Sequence, residues 1–192
     1  DFTVLNLFAL SQGMLTFSGP MAASDFGHPH NDPWTESECW RTLASLGMRV
    51  KVEAQNPYQG KTDGILWGSN LSNIVHLLGT PYFPFVQNGI LLLEDIGEEA
   101  YAIDRMLMQL HHAGILKQQR ALIFGHFNGV DSHTEAARAY PHGALAEVWR
   151  TRLDIPVVTG FPFGHVAYKA TLPIGKTAVL DINPEHYTLE VQ

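Results

Sequence analysis

Apolar and polar positions along this chain predict strands that alternate with helices. Residues 90–93 form the continuous apolar run Ile90-Leu91-Leu92-Leu93, which is typical of a strand covered on both faces of its sheet. The next stretch has apolar side chains at helical spacing, with Gly114 as its stop: Ile103, Met106, Leu107, Leu110 and Ile115. This order of elements predicts an α/β protein.

The same signals divide the rest of the chain. We predict strands at about residues 15–17, 49–55, 64–67, 121–124, 156–159, 176–180 and 187–191, and helices at 2–12, 36–46, 71–78 and 144–153. The segment 27–33, Gly-His-Pro-His-Asn-Asp-Pro, is predicted to be a loop because its two prolines exclude a helix. We expect a first α/β unit at 1–27, a linker region at 28–60 and a second domain at 61–192.

Composition narrows the classes of function. The chain has 192 residues, a net charge of -7 and scattered lysines and arginines, so we expect no nucleic acid partner. No window reaches the roughly 18 to 20 apolar residues of a membrane span, and the apolar segment 2–17 lacks the basic start of a signal peptide. The single cysteine, Cys39, cannot form an intrachain disulfide, which suits a reducing compartment. A cytoplasmic protein is the resulting expectation.

Two chemically active side chains follow apolar strands directly. Glu94 comes after residues 91–93, and His165 comes after residues 157–160 in the run Phe161-Pro162-Phe163-Gly164-His165. Ligands of α/β sheets bind at the carboxyl ends of strands, so we predict that Glu94 and His165 meet there. A carboxylate bonded to one imidazole nitrogen fixes the tautomer and leaves the other nitrogen free to take a proton from a nucleophile.

Alternatives to this pair remain open. Glu94 could be a helix cap or a loop ligand, and Asp95, Glu98 and Glu99 compete with it, although any of them could serve the dipole of the following helix. His165 stands out among ten histidines because its loop is rich in glycine and proline, which lets backbone approach a ligand closely.

A metal site is a second alternative, in the loop His28-Pro29-His30-Asn31-Asp32. Imidazoles and a carboxylate suit zinc or iron. The proline between the histidines points their side chains apart, and neither an HExxH nor a CxxC pattern accompanies them. We therefore expect no metal and no cofactor, while a metal-dependent hydrolase built on this loop stays open.

Several sequence blocks resemble one family when taken together. The blocks are Gly68-Ser69-Asn70-Leu71, Leu78-Gly79-Thr80-Pro81-Tyr82, Leu93-Glu94-Asp95-Ile96-Gly97-Glu98, Asp104-Arg105-Met106-Leu107, His112-Ala113-Gly114-Ile115-Leu116, Gly160-Phe161-Pro162-Phe163-Gly164-His165 and Thr171-Leu172-Pro173-Ile174-Gly175. Their order and spacing over about residues 60–180 are similar to those of the LD-carboxypeptidases of the muramoyl-tetrapeptide type, which are serine peptidases.

The resemblance implies a fold and a set of site residues. The fold would be the remnant of a flavodoxin-like α/β domain at 1–27, followed after the linker by a mixed β/α domain with a small barrel-like sheet. Glu94 and His165 resemble the acid and the base of a Ser-Glu-His triad, and the amide of Asp1 resembles an oxyanion-hole donor. Asn70 and Phe163, in two of the blocks, are candidates for substrate binding.

The same resemblance places the nucleophilic serine just before Asp1. We therefore expect the chain, which does not begin with methionine, to be a piece of a longer protein, inactive without the missing N-terminal half. The family implies release of D-alanine from murein tetrapeptide during peptidoglycan recycling, by a homodimer without a cofactor. Two other functions stay open: an immunity peptidase that cleaves a peptide-nucleotide antibiotic of the microcin type, and a non-catalytic domain that binds peptidoglycan fragments.

Overall fold

The computed structural model describes residues 2–27, 31–129 and 134–191. Its helices are α1 (Phe2–Ser11), α2 (Pro33–Ser45), α3 (Leu71–His76), α4 (Ala100–His112), α5 (Glu135–Ala139) and α6 (His142–Arg152). Its strands are β1 (Thr16–Ser18), β2 (Met48–Glu53), β3 (Gly60–Asn70), β4 (Ile90–Ile96), β5 (Ala121–Asn128), β6 (Val157–Val158), β7 (Leu172–Ile174), β8 (Thr177–Ile182) and β9 (His186–Val191). A π-helical turn spans Ala22–Phe26, and a 3-10 turn spans Leu116–Gln118.

Seven strands form one mixed sheet in the order β2-β9-β8-β3-β4-β5-β6, and the sheet curls into a half-barrel. The long strand β3 joins its two halves. Residues 60–65 of β3 pair antiparallel with β8, whereas residues 66–70 pair parallel with β4. The parallel strands β3, β4, β5 and β6 therefore end at the same edge. This arrangement confirms the predicted fold class.

Two apolar cores lie on the two faces of the sheet. On one face, Leu91 and Leu93 pack with helices α3, α4 and α6. On the other face, Ile90 and Leu92 pack inside the curl with side chains of β2, β8 and β9. All four residues of this run are fully buried, as the continuous apolar pattern predicts.

The predicted strands and helices are all present, with ends that differ by up to a few residues. The sequence pattern missed β7, which is short, contains Pro173 and pairs antiparallel with β1 in a separate two-stranded sheet. It also missed α5 and the π-helical turn. Strand β2 lies in the segment assigned to the linker, yet it pairs with β9 in the main sheet. The division at residues 27 and 60 stays a prediction.

Within the described ranges, no helix combines the length and the apolar character that crossing a bilayer requires. The longest helices there, α2 and α4, have 13 residues each. A membrane span needs about 20 predominantly apolar residues in a helix.

Substitution of Leu92 by Ala tests the packing inside the curl. Leu92 is fully buried, so we expect the free energy of unfolding to fall by about 2 to 5 kcal/mol, because the substitution removes apolar burial and leaves a cavity. Urea unfolding of the chain measures the change. Leu43→Ala on α2 is the control, since Leu43 is 38% exposed, and its effect should be much smaller. Equal losses for the two variants would contradict this account of the core.

Candidate active site

Glu94 and His165 meet at the carboxyl edge of the parallel strands. The Nδ1 atom of His165 lies 3.0 Å from the Oε2 atom of Glu94. The carboxylate is almost fully buried at 3% exposure, whereas 40% of the imidazole side chain is exposed. Because Nδ1 is used in this bond, Nε2 is the nitrogen that can exchange a proton with another molecule.

A bulge between β4 and β5 lies beside Glu94. Leu93 pairs with Phe124, but Asp95 pairs with Phe127, so Gly125 and His126 of β5 oppose the single residue Glu94. A bulge bends its strand and re-aims side chains. Both Glu94 and the adjacent Asp95 are buried here, although neighbouring residues in a regular strand point to opposite faces.

Two glycines let the His165 loop approach these strands. A Cβ atom on Gly125 would lie 2.6 Å from the carbonyl oxygen of Phe163. Gly164 has a φ of +122°, and a Cβ atom there would lie 3.1 Å from Oε2 of Glu94. The glycine and proline content of this loop predicts close approach of its backbone to a ligand. The structure shows that Gly164 allows close approach of Glu94 itself.

Backbone and side-chain hydrogen bonds fix the same loop on β5. The amide of His126 donates to the carbonyl oxygen of Phe163 at 2.9 Å, and Nδ2 of Asn128 donates to that of His165 at 2.7 Å. Asn128 was not among the predicted site residues, although a polar side chain where a buried strand ends was an available signal. Asn128 orients His165 through its backbone.

Asp95 has a different role from Glu94. Its Oδ2 atom accepts hydrogen bonds from the amide and the hydroxyl of Ser72, at 2.9 and 2.6 Å, and its Oδ1 atom accepts one from Nδ2 of Asn70 at 2.8 Å. Asp95 thus interacts with the first turn of α3, which precedes β4, and not with the helix that follows. Glu99 is the N-cap residue of α4, without a side-chain capping bond.

Burial determines the electrostatics of Glu94. Loss of solvation raises its pKa above the usual value of 4.5, while the hydrogen bond and the charge of His165 act in the opposite direction. The nearby charge of Asp95 raises the Glu94 pKa further. Burial also lowers the pKa of His126 on β5. Among these interactions, the hydrogen bond to His165 is the one that most favours the ionised form of Glu94.

A cleft of about 360 Å³ opens beside His165. It lies between the π-helical turn, the start of α2 and the loop after β6. Polar side chains that line it with His165 are Ser24, Asp25, Asn31, Asp32 and Lys169. Asp32 caps α2 by accepting a hydrogen bond from the amide of Thr35 at 2.9 Å. The cleft gives a small molecule access to the exposed side of the imidazole.

The other predicted site residues have different surroundings. Asn70 is 9% exposed, and its side chain bonds to Asp95 and Asn73 as the N-cap of α3. Phe163 is 5% exposed and packs in the core inside the curled sheet. Their roles in substrate binding stay predictions. The oxyanion-hole prediction falls on Asp1, which lies outside the described residues.

Part of the predicted metal site also lies outside the described residues, because the prediction depends on His28 and His30. Within the described ranges, the side chains of His, Cys, Asp and Glu form no group of three or more that is arranged to hold a metal ion. Asn31 and Asp32 of the same loop are described, and both bond to residues of α2.

Comparison with known proteins identifies the family. Residues 63–180, more than half of the chain, match the LD-carboxypeptidase C-terminal domain. The chain belongs to the LD-carboxypeptidase family. A putative carboxypeptidase of Streptomyces coelicolor is 34% identical to it over 198 residues, which is 99% of this chain and 60% of that protein. This LD-carboxypeptidase chain thus spans only part of its relatives, 58% of the length of a putative carboxypeptidase of Synechocystis and 60% of that of the Streptomyces coelicolor protein.

Solved structures of the family share its fold. A muramoyltetrapeptide carboxypeptidase from Oxalobacter formigenes superposes with a TM-score of 0.92 at 40% identity, over 100% of this chain and 66% of that one. The microcin C7 self-immunity protein MccF superposes with a TM-score of 0.80 at 22% identity, again over 100% of this chain and 66% of that one. The second likeness shows the fold alone.

Stability as a function of pH tests the environment of Glu94. Its pKa is raised in the folded state, so the folded protein binds more protons than the unfolded chain at pH values between the two pKa values. The free energy of unfolding should therefore decrease as pH rises from about 4.5 through this window. Glu94→Gln removes this titration, so the decrease should be smaller in the variant.

Urea unfolding at a series of pH values measures this difference. Glu185→Gln is the control, because Glu185 lies at the exposed turn between β8 and β9, and the pH profile of this variant should parallel that of the unmodified chain. A Glu94→Gln profile that also runs parallel would show that Glu94 is not perturbed as described.

Proposed function

We propose that this LD-carboxypeptidase chain provides the glutamate and the histidine of a Ser-Glu-His triad. The observation that carries the proposal is the 3.0 Å contact between Glu94 and His165 beside an open cleft. The buried carboxylate would orient the ring and stabilise its protonated form, and the Nε2 atom of this partly exposed ring would act as the general base.

The proposed reaction is peptide hydrolysis through an acyl-enzyme. His165 takes the proton of a serine hydroxyl as the serine oxygen attacks the carbonyl carbon, and it gives that proton to the amine as the peptide C–N bond breaks. This amine is the amino group of the terminal D-amino acid, which is released. Water then hydrolyses the ester that joins the serine to the rest of the peptide. The serine belongs to a part of the protein that precedes residue 1, and the amide of Asp1 is the proposed oxyanion donor.

The character of α1 supports a larger protein. Phe2, Leu5 and Phe8 on its outer side are 77%, 56% and 42% exposed, whereas Leu7 on its inner side is fully buried. Large apolar side chains on the outer side of a helix, in addition to its buried side, are typical of a helix that another part of the protein covers. We infer that the rest of the protein packs on this side of α1 and brings the serine toward His165.

We propose murein tetrapeptide as the substrate, with release of D-alanine in peptidoglycan recycling. The likeness to the muramoyltetrapeptide carboxypeptidase of Oxalobacter formigenes supports this choice. A cytoplasmic location, a homodimer and a reaction without a cofactor stay predictions.

A second candidate is cleavage of a peptide-nucleotide antibiotic. The microcin C7 self-immunity protein MccF of Escherichia coli is 28% identical over 134 residues, 69% of this chain and 38% of that protein. Parallel assays of D-alanine release and of cleavage of such a conjugate by the complete protein separate the two candidates. Binding of muropeptides without any hydrolysis would instead favour a non-catalytic binding domain.

Substitutions in the complete protein test the triad. His165→Ala should lower kcat for D-alanine release by about 10³-fold or more, and Glu94→Ala by at least about 10²-fold, because the members of a triad act as a unit. His76→Ala at the exposed end of α3 is the matched control and should keep the original kcat. A His165→Ala variant with more than a tenth of that kcat would exclude His165 as the base.

The isolated chain gives an independent test. Residues 1–192 alone should release no measurable D-alanine from murein tetrapeptide, since the proposal places the nucleophile outside them. Addition of the preceding part of the protein should restore turnover. Robust turnover by the isolated chain would contradict the position of the nucleophile, although it would leave the roles of Glu94 and His165 open to the substitutions above.

A further inference from the structure

A buried ion pair lies in the wall of the same cleft. The Nζ atom of Lys169 is 2.8 Å from Oδ2 of Asp25, and the two side chains are only 6% and 11% exposed. The same Oδ2 atom accepts a hydrogen bond from the amide of Met21 at 2.7 Å. The pair thus connects the π-helical turn near the start of the chain to the loop that carries His165, across 144 positions in the sequence.

Helix α2 holds the middle of this loop. The hydroxyl of Thr35 donates to the carbonyl oxygen of Ala167 at 2.8 Å and accepts from the amide of Lys169 at 2.9 Å. The rings of Trp34 and Tyr168 stack with their centroids 4.2 Å apart. Asn128 holds the start of the loop at His165. The loop is therefore bound along its length, and the ion pair is its connection to the π-helical turn.

A gain in the free energy of unfolding does not by itself explain why a buried ion pair is present here. Removing two charges from water carries a desolvation penalty that can equal or exceed their attraction, and apolar residues of similar volume often replace buried pairs without loss of stability. In some proteins a buried polar or ionic contact instead fixes the relative position of the segments that it joins. Lys169 is also poorly suited to bind a substrate carboxylate, because its ammonium group is largely buried and already bonded to Asp25.

We propose that Lys169 and Asp25 are positioning residues for His165. Their ion pair holds the loop 165–169 at a fixed distance from the π-helical turn, so that the imidazole faces the cleft in one orientation. The pair acts through the loop and touches no reacting atom. This inference rests on the proposed role of His165 as the general base.

Four variants of the complete protein test the proposal. Lys169→Met should lower kcat by about 10- to 100-fold with less than about a 3-fold change in KM, because misplacement of a catalytic group slows the chemical step. Lys169→Arg, which retains the charge, should recover part of that loss. The double variant Asp25→Leu/Lys169→Met should unfold at the same temperature as the original protein within a few degrees and still have a low kcat. Lys176→Met is the control, since Lys176 bonds at the exposed surface to the carbonyl oxygen of Leu46, and it should keep the original kcat.

A second readout does not depend on catalysis. Nitrogen NMR of the histidine rings in the 192-residue chain should show His165 with a proton on Nδ1 when the ring is bonded to Glu94. In the double variant this signal should move toward the average of the two tautomers. Because this measurement needs no turnover, it can still decide the role of the pair if the complete protein releases no D-alanine and the proposed function fails.

The double variant also decides between positioning and a purely structural role. A stable double variant with the original kcat and the original His165 signal would overturn the proposal. If Lys169→Met alone does not fold, the double variant and Lys169→Arg provide the decision, since neither leaves a buried charge without a partner.

Discussion

The arrangement of residues at the carboxyl edge of the sheet depends on one contact, between the buried carboxylate of Glu94 and the imidazole of His165. A carboxylate at 3% exposure has lost most of its hydration and needs a polar partner within hydrogen-bond distance. That partner comes from a loop 71 residues further along the chain. The glycine at position 164 is required because a side chain there would meet Glu94, and the bulge in β5 gives the carboxylate its space.

The sheet makes this contact possible because its parallel half and its antiparallel half contribute in different ways. In the parallel half, β4, β5 and β6 end at one edge, so residues that follow different strands meet there. In the antiparallel half, β8, β9 and β2 curl around the inner core and cover Ile90 and Leu92. Residues 90–93, which precede Glu94 within β4, are thereby buried on both faces. This packed part of the strand holds the carboxylate of Glu94 in a fixed position.

Local signals were sufficient for most of the helices and strands and for the central pair of residues, but not for β7, α5 or the π-helical turn. The apolar run at 90–93 predicted a strand covered on both faces, and the position of Glu94 and His165 after two such strands predicted their meeting. The bulge, the capping of α3 by Asp95 and the bond from Asn128 were not predictable in the same way. Each depends on register or on a partner from another element, which periodicity does not contain. The ion pair of Lys169 and Asp25 was the least predictable contact. Neither residue belongs to a local sequence pattern, and the segments that carry them meet only in the folded protein.

Glu94 and Asp95 are adjacent and equally buried, but their hydrogen-bond partners differ in kind. Asp95 accepts hydrogen bonds from an asparagine amide, a serine hydroxyl and backbone amides, all of which are neutral and keep their protons. Glu94 faces an imidazole, a group whose charge can change during a reaction. Only at Glu94 does the strength of the interaction therefore depend on where a proton is, which is the property required of a group that stabilises a transient positive charge. Asp95, whose partners do not change charge, instead connects α3 to the end of β4, and so helps to keep Glu94 in place for its proposed role.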